Sequence, residues 1–208
     1  MVKELNVQDV FPETTYFYID DKTNAGFIID PGAQPELIYD YIKTNGWKIE
    51  KILLTHGHMD HIGAVTFLQE KLQIPVFIHR DEEDYLKDGY LNLSSNYGAP
   101  LLVEGYSFLK DKEIIRLKEN PDFYLQVIHA PGHTPGSLIF YNPDDKVAFI
   151  GDILFEHGVG LSHFPGGDKE LLDDTIVNKV LSLPGDTMLY ASHATPITVD
   201  SERKLLLG

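Results

Sequence analysis

His56, His58, Asp60 and His61 place three imidazoles and one carboxylate in the pattern H-x-H-x-D-H. Nitrogen and oxygen donors at this density suit zinc and neighbouring divalent cations. Single histidines are usually solvated or packed in cores, and chance does not crowd them like this. The run before them, Lys51-Ile52-Leu53-Leu54, is apolar and predicts a buried strand. The run after them, from Ala64 to Leu72, predicts a helix. The donors therefore sit on one strand-to-helix turn.

Further blocks follow in order. Ala130-Pro131-Gly132-His133-Thr134-Pro135-Gly136-Ser137 carries another histidine. Phe149-Ile150-Gly151-Asp152 reads as a strand ending on a carboxylate. Ser192-His193-Ala194-Thr195-Pro196 follows the apolar run Met188-Leu189-Tyr190-Ala191, and Asp30-Pro31-Gly32-Ala33 adds a weaker block near the start. Together these blocks resemble the signature of the metallo-β-lactamase superfamily, in the family's order from Thr55 to Pro196.

That resemblance implies an α/β chain (α+β by some schemes). It would be a four-layer αββα sandwich, one domain over residues 1–208, with metals at the sheet edges where the motif loops meet. His56, His58 and His133 match the first metal site. Asp60, His61 and His193 match the second, and Asp152 matches the bridging carboxylate. His56 and His58 are two apart, so on extended backbone they point the same way. The adjacent pair Asp60 and His61 suits a turn that aims neighbours at different metals. Two divalent ions are implied, zinc first, with iron or manganese accepted by the same donors. The pattern departs from the family in two places. Relatives usually have glycine where Ser192 and Ala194 stand, and arginine and aspartate where Leu161 and His163 stand. The second exchange removes an ion pair beside the site.

Strands and helices alternate around these loops. Thr15–Ile19 and Ala25–Ile29 read as strands joined by a polar turn. Leu37, Ile38, Tyr41 and Ile42 have helical spacing between Pro35 and Gly46, which suit a helix start and end. Pro75–His79 predicts a strand, and an acidic helix follows through Asp81–Leu86. Asp88–Glu104 has no period and predicts either a loop over the metal site or a surface excursion. Strands are expected over Glu113–Leu117, Phe123–Ile128, Ser137–Tyr141 and Val147–Ile150. A helix is expected from Lys169 to Leu183, with Leu171, Leu172, Ile176, Val177, Val180 and Leu181 on its apolar side. Two stacked sheets with helices outside satisfy this order.

With 208 residues and 43% apolar content, the chain can bury one large core. No apolar run approaches the ~20 residues of a membrane helix, and the first residues lack a signal-like apolar core. There is no cysteine, hence no disulfide, thiolate ligand or cysteine nucleophile. A cytoplasmic location fits. The net charge of −15 repels phosphate backbones, and no basic stripe offsets it. A small-molecule substrate is therefore expected, with neither nucleic acid nor membrane as partner. Oligomeric state is not legible.

In this family two cations sharing a water lower its pKa toward ~7, and the bridging hydroxide is the nucleophile. A metal then holds the oxyanion of the tetrahedral intermediate. His58, Asp60 and Asp152 are the residues expected to carry catalysis, Asp60 by ligating and orienting the hydroxide. An amine leaving group needs a proton, whereas a thiolate does not. No extra general acid is evident, which favours a thioester. The compact form with Gly-His-Thr-Pro-Gly-Ser and Phe-Pro-Gly-Gly is similar to glyoxalase II-like hydrolases, which cleave S-acyl glutathione thioesters such as S-lactoylglutathione. Glyoxalase II adds a C-terminal helical domain, and this chain ends at Gly208, soon after His193. Another thioester, a lactone or a phosphoester is the alternative. The rival on the same scaffold is a persulfide dioxygenase, with one iron on the counterparts of His56, His133 and Asp152. A β-lactamase would carry a signal peptide, and a non-enzymatic binding module would not need the full donor set. Of the other histidines, His79 is expected to order a turn and His129 to support the second block. His157 and His163 are candidates for lining the pocket. Asp30 is expected to brace the metal loops.

Overall fold

The computed structural model describes residues 1–208, the side chain of Leu207 apart. The first sheet holds β1 (Val2–Gln8), β2 (Pro12–Ile19), β3 (Ala25–Ile29), β4 (Lys48–Leu53), β5 (Val76–His79) and β6 (Tyr106–Leu109), in that order. β1, β2 and β3 pair antiparallel, while β3 to β6 run parallel. The second sheet uses β7 (Ile114–Arg116), β8 (Tyr124–His129), β9 (Leu138–Asn142) and β10 (Val147–Gly151). A separate hairpin, β11 (Leu154–Phe155) and β12 (Gly158–Val159), interrupts it. β13 (Met188–Ala191) and β14 (Ile197–Thr198) complete the order β14-β13-β10-β9-β8-β7. The helices are α1 (Pro35–Asn45), α2 (Met59–Ile62), α3 (Val65–Leu72), α4 (Glu83–Lys87), α5 (Lys169–Thr175) and α6 (Val199–Leu207). No helix among the described residues is long and apolar enough to cross a membrane.

The layers follow from strand periodicity, because successive side chains point to opposite faces. In β2, Tyr16 and Tyr18 join the apolar layer between the sheets, while Phe17 and Ile19 join the layer under α1 and α3. In β9, Leu138 and Phe140 face the first sheet, and Ile139 and Tyr141 face α5 and α6. Strands buried on both faces read as continuous apolar runs. Three apolar layers between four structural layers make the αββα sandwich.

This topology puts the motif loops on common edges. The H-x-H run leaves the C-terminal end of β4. His133, Asp152 and His193 follow the C-terminal ends of β8, β10 and β13. Those three strands share one direction: β10 and β13 are parallel, and β8 is antiparallel to β9, itself antiparallel to β10.

Some expectations change. The helix expected over Lys169–Leu183 is α5 followed by a π-helical turn, Ile176–Val180. Leu172, Ile176 and Val180 are buried as expected, but Leu171 and Val177 are exposed. A face centred on Leu172 and Ile176 turns the immediate neighbours about 100° away. The acidic helix begins as a 3₁₀ turn, Arg80–Glu82, before α4. β1, β6, β11, β12, β14, α2 and α6 are additions to the elements read from sequence.

Candidate metal centre

His56 Nε2, His58 Nδ1 and His133 Nε2 form a triangle with sides of 3.0 to 3.2 Å. All three residues are buried. Burial, with the neighbouring imidazoles, holds His56 well below its ordinary pKa, His58 at about 3 and His133 below normal. The rings are therefore neutral at pH 7. Hydrogen bonds settle their tautomers. His133 Nδ1 donates to the Leu161 carbonyl at 2.6 Å. The Thr55 hydroxyl donates to Asp30 Oδ2 at 2.6 Å, so it accepts from His56 Nδ1 at 3.1 Å. Both Nε2 atoms then carry bare lone pairs 3.2 Å apart. His58 Nδ1 could offer one proton to only one of them, and its own buried Nε2 would then be left without a partner, so the three rings cannot satisfy one another and the donor set fits a metal ion.

The second cluster is acidic. His61 Nε2 lies 3.9 Å from Asp60 Oδ1 and 3.6 Å from Asp152 Oδ1. His193 Nε2 lies 3.3 Å from Asp60 Oδ2 and 3.5 Å from Asp152 Oδ2. Asp152 Oδ2 is also 3.8 Å from His133 Nε2, so this carboxylate spans both clusters. His61 Nε2 and Asp152 Oδ1 are buried with no hydrogen-bond partner. Burial opposes protonation of His61, but Asp152 and Asp60 raise it well above normal. His193 is likewise raised, to about 10, because its hydrogen bonds to Asp152 and Asp60 outweigh its burial. Burial disfavours the Asp152 carboxylate, yet His61 and His193 hold it well below the usual range. Protons occupy this cluster where a cation would otherwise balance the carboxylates.

All seven residues singled out in the sequence thus converge: His56, His58, Asp60, His61, His133, Asp152 and His193. Asp30 braces them as expected. It accepts from the Thr55 N–H (2.7 Å), the Thr55 hydroxyl and His61 Nδ1 (3.1 Å), aiming His61 Nε2 inward. Gly32 lets the two loops touch, since a Cβ there would stand 1.6 Å from the Asp60 carbonyl oxygen.

Glu82 was not anticipated. It is fully buried, and its carboxylate accepts from the N–H of Gly57 (2.8 Å) and of Gly136 (2.7 Å). One side chain thereby ties the His56–His58 loop to the His133 loop. Burial pushes its carboxyl up to about 7 against those donors. The sequence signal was slight: one acid within the run Asp81-Glu82-Glu83-Asp84.

The remaining histidines divide. His79 Nδ1 accepts from the Asp81 N–H and so orders the turn into α4. His129 stacks on His79 at 4.2 Å, and its Nε2 lies 2.9 Å from the Pro135 carbonyl oxygen. Those rings are only 11° from parallel, so their in-plane lone pairs do not meet at one cation. His163 lines the cavity. His157 does not: it turns outward at the tip of the β11–β12 hairpin, with φ 60°.

The clusters floor a cavity of about 870 Å³. The Asp88–Glu104 segment forms part of its wall through Tyr90, Leu93 and Tyr97. Buried Asn92 pins that segment by donating to the carbonyls of Tyr85 and Leu101, and the Met59 N–H donates to the Asn92 carbonyl. Leu161 contributes its carbonyl to His133, a role independent of its side chain. Ser192, also at a position where the family pattern differs, supports the site through its backbone carbonyl, which accepts from the Thr14 N–H.

Hydroxyacylglutathione hydrolase GloC of Haemophilus influenzae is 34% identical over 191 residues, covering 89% of this chain and 87% of the relative. Two solved structures are also similar. The B3 metallo-beta-lactamase BLEG-1 superposes with a TM-score of 0.92 at 33% identity, covering 100% of both chains. TTHA1623 in a di-iron-bound form gives 0.84 at 30% identity, covering 97% of both. The Lactamase_B family model, described as the metallo-beta-lactamase superfamily, matches residues 9–193 and so takes in every one of the seven converging donors. By sequence, by fold and by the placement of its histidines and aspartates, the chain belongs to the metallo-beta-lactamase superfamily.

Proposed function

We propose that this protein hydrolyses a small acyl thioester, of which S-lactoylglutathione is the representative, with two divalent ions. His56, His58 and His133 would hold one ion, Asp60, His61 and His193 the other, and Asp152 both. The observation that carries this reading is the pair of bare Nε2 atoms 3.2 Å apart beside a second cluster that shares Asp152. The likeness to GloC supports the thioester. Zinc suits the donor set, and the di-iron form of TTHA1623 keeps iron in view.

Bound there, the ions would lower the pKa of a shared water toward ~7 and polarise the scissile carbonyl. The chain supplies the rest. Asp60 lines the cavity floor beside His193, where it orients the attacking water. Asp30 and Thr55 fix the ring orientations of His61 and His56. The thiolate departs without a proton, so no further acid is required. His58 and Asp152 keep the donor geometry on which the step depends.

The test is S-D-lactoylglutathione hydrolysis by the zinc-loaded protein, with His58→Ala as control. A kcat/KM near or above ~10⁴ M⁻¹s⁻¹, abolished by the substitution, is expected. No turnover above the control would remove the glutathione thioester from consideration. Likeness to BLEG-1 favours β-lactam hydrolysis as the second reading, which nitrocefin turnover tests. Iron content and oxygen uptake with glutathione persulfide test the dioxygenase rival.

A further inference from the structure

We infer that the cavity selects thioesters whose acyl and thiol portions carry no net negative charge, and that thioesters of anionic thiols such as glutathione are its poorer substrates. This rests on the thioester reading above. The lining carries the carboxylates of Glu4, Glu13, Asp60 and Asp152 but no lysine or arginine among the described residues. A glutathione tail brings two carboxylates and one ammonium, and neither carboxylate meets a cationic side chain here. The charge of two divalent ions at the floor would already be offset in large part by Asp30, Asp60 and Asp152.

The walls are apolar instead. Phe11 and Tyr97 meet edge to face at 5.4 Å across the mouth, joining the β1–β2 turn to the Asp88–Glu104 segment. Tyr90 is 64% exposed and Tyr97 53% exposed at that rim. Phe155 packs against His193 at 6.1 Å. Aromatic rings left open around a cavity gain from covering apolar substrate groups. An anion would instead exchange its water for neutral donors such as Asn96 and His163, with no lysine or arginine to pair its charge. Glu4 stands exposed on β1 at the entrance, and the net charge of −15 repels anions on approach.

The experiment compares S-lactoyl-N-acetylcysteamine with S-lactoylglutathione, which share the acyl group and the bond cleaved. The uncharged thioester is expected to show a kcat/KM about tenfold or more higher. Rising salt should improve the glutathione thioester and leave the uncharged one flat, because screening acts only on charge. Glu4→Lys should narrow the ratio by improving the anion. Equal efficiency, or preference for the glutathione thioester with no salt effect, overturns the proposal. Calorimetry with the non-hydrolysable thioethers S-hexyl-N-acetylcysteamine and S-hexylglutathione separates this proposal from the thioester reading. If neither thioester is hydrolysed but the uncharged ether binds more tightly, the reaction is wrong and the charge selectivity stands. Tighter binding of the glutathione ether, equal binding, or binding of neither overturns it.

Discussion

Glu82 lies between Asp81 and Glu83 in a run that would ordinarily be solvated, yet it is buried and joins two motif loops. Glu82→Gln exchanges one acceptor oxygen for a donor amide, leaving a backbone N–H of Gly57 or Gly136 buried without a partner. The cost of such a group is about 1–3 kcal/mol. Urea unfolding of the variant should show that loss. Chelator competition should show metal binding weakened by about tenfold or more, the usual scale for groups that hold ligands in place. Unchanged values in both would mean that the loops hold themselves. His56, His58, Asp60 and His61 were legible because ligand-type residues at short spacing are rare, whereas His133, Asp152 and His193 were read only from the resemblance of their blocks to the family. Glu82 was not legible, because its burial is decided by two loops distant in sequence and leaves no local period.

Among the elements, β2, β3, β9 and β10 were readable as apolar runs between turns. β1 was not, because Lys3, Glu4 and Asn6 expose an edge strand on which only Val7 is fully buried. α6 hid similarly, with Leu205 and Leu206 exposed. The Asp88–Glu104 segment lacks a period because one buried amide, not a repeating face, gives it shape. Asn92→Ala removes the bonds to Tyr85, Leu101 and Ser94. Limited proteolysis should then cut within residues 88–104, and KM should rise more than kcat falls, since Tyr90, Leu93 and Tyr97 line the cavity. Intact chains and an unchanged KM would refute that role. Gly132 joins the His133 loop to α5 at φ 137°, where a Cβ would stand 2.3 Å from the Leu172 backbone. Gly132→Ala is expected to lower unfolding free energy by more than ~1 kcal/mol, read from a denaturant titration.

At the scale of the molecule, the acidic cluster couples stability to pH. His61 is raised well above the ordinary 6.5 and His193 to about 10, so the folded chain binds these protons more tightly than the unfolded one. Both contributions are fully present below pH 6.5; that of His193 is lost as pH rises toward about 10, and that of His61 is likewise lost on the alkaline side of its ordinary value. The metal-free protein should therefore lose thermal stability across that window. The loaded protein should lose much less, because cations replace the protons. A flat metal-free Tm over the same range would contradict this. The chain's two ends meet at the same place: His193 Nδ1 donates to the Pro12 carbonyl, 181 positions away, at 2.7 Å, and the Thr14 N–H donates to the Ser192 carbonyl. Contacts so far apart in sequence form slowly. On the ribosome, the three-histidine triangle has all its residues once His133 has emerged, whereas the acidic half waits for the last strands. The acidic cluster is thus a reporter of closure: its donors come together only when strands from opposite ends of the folding order have met.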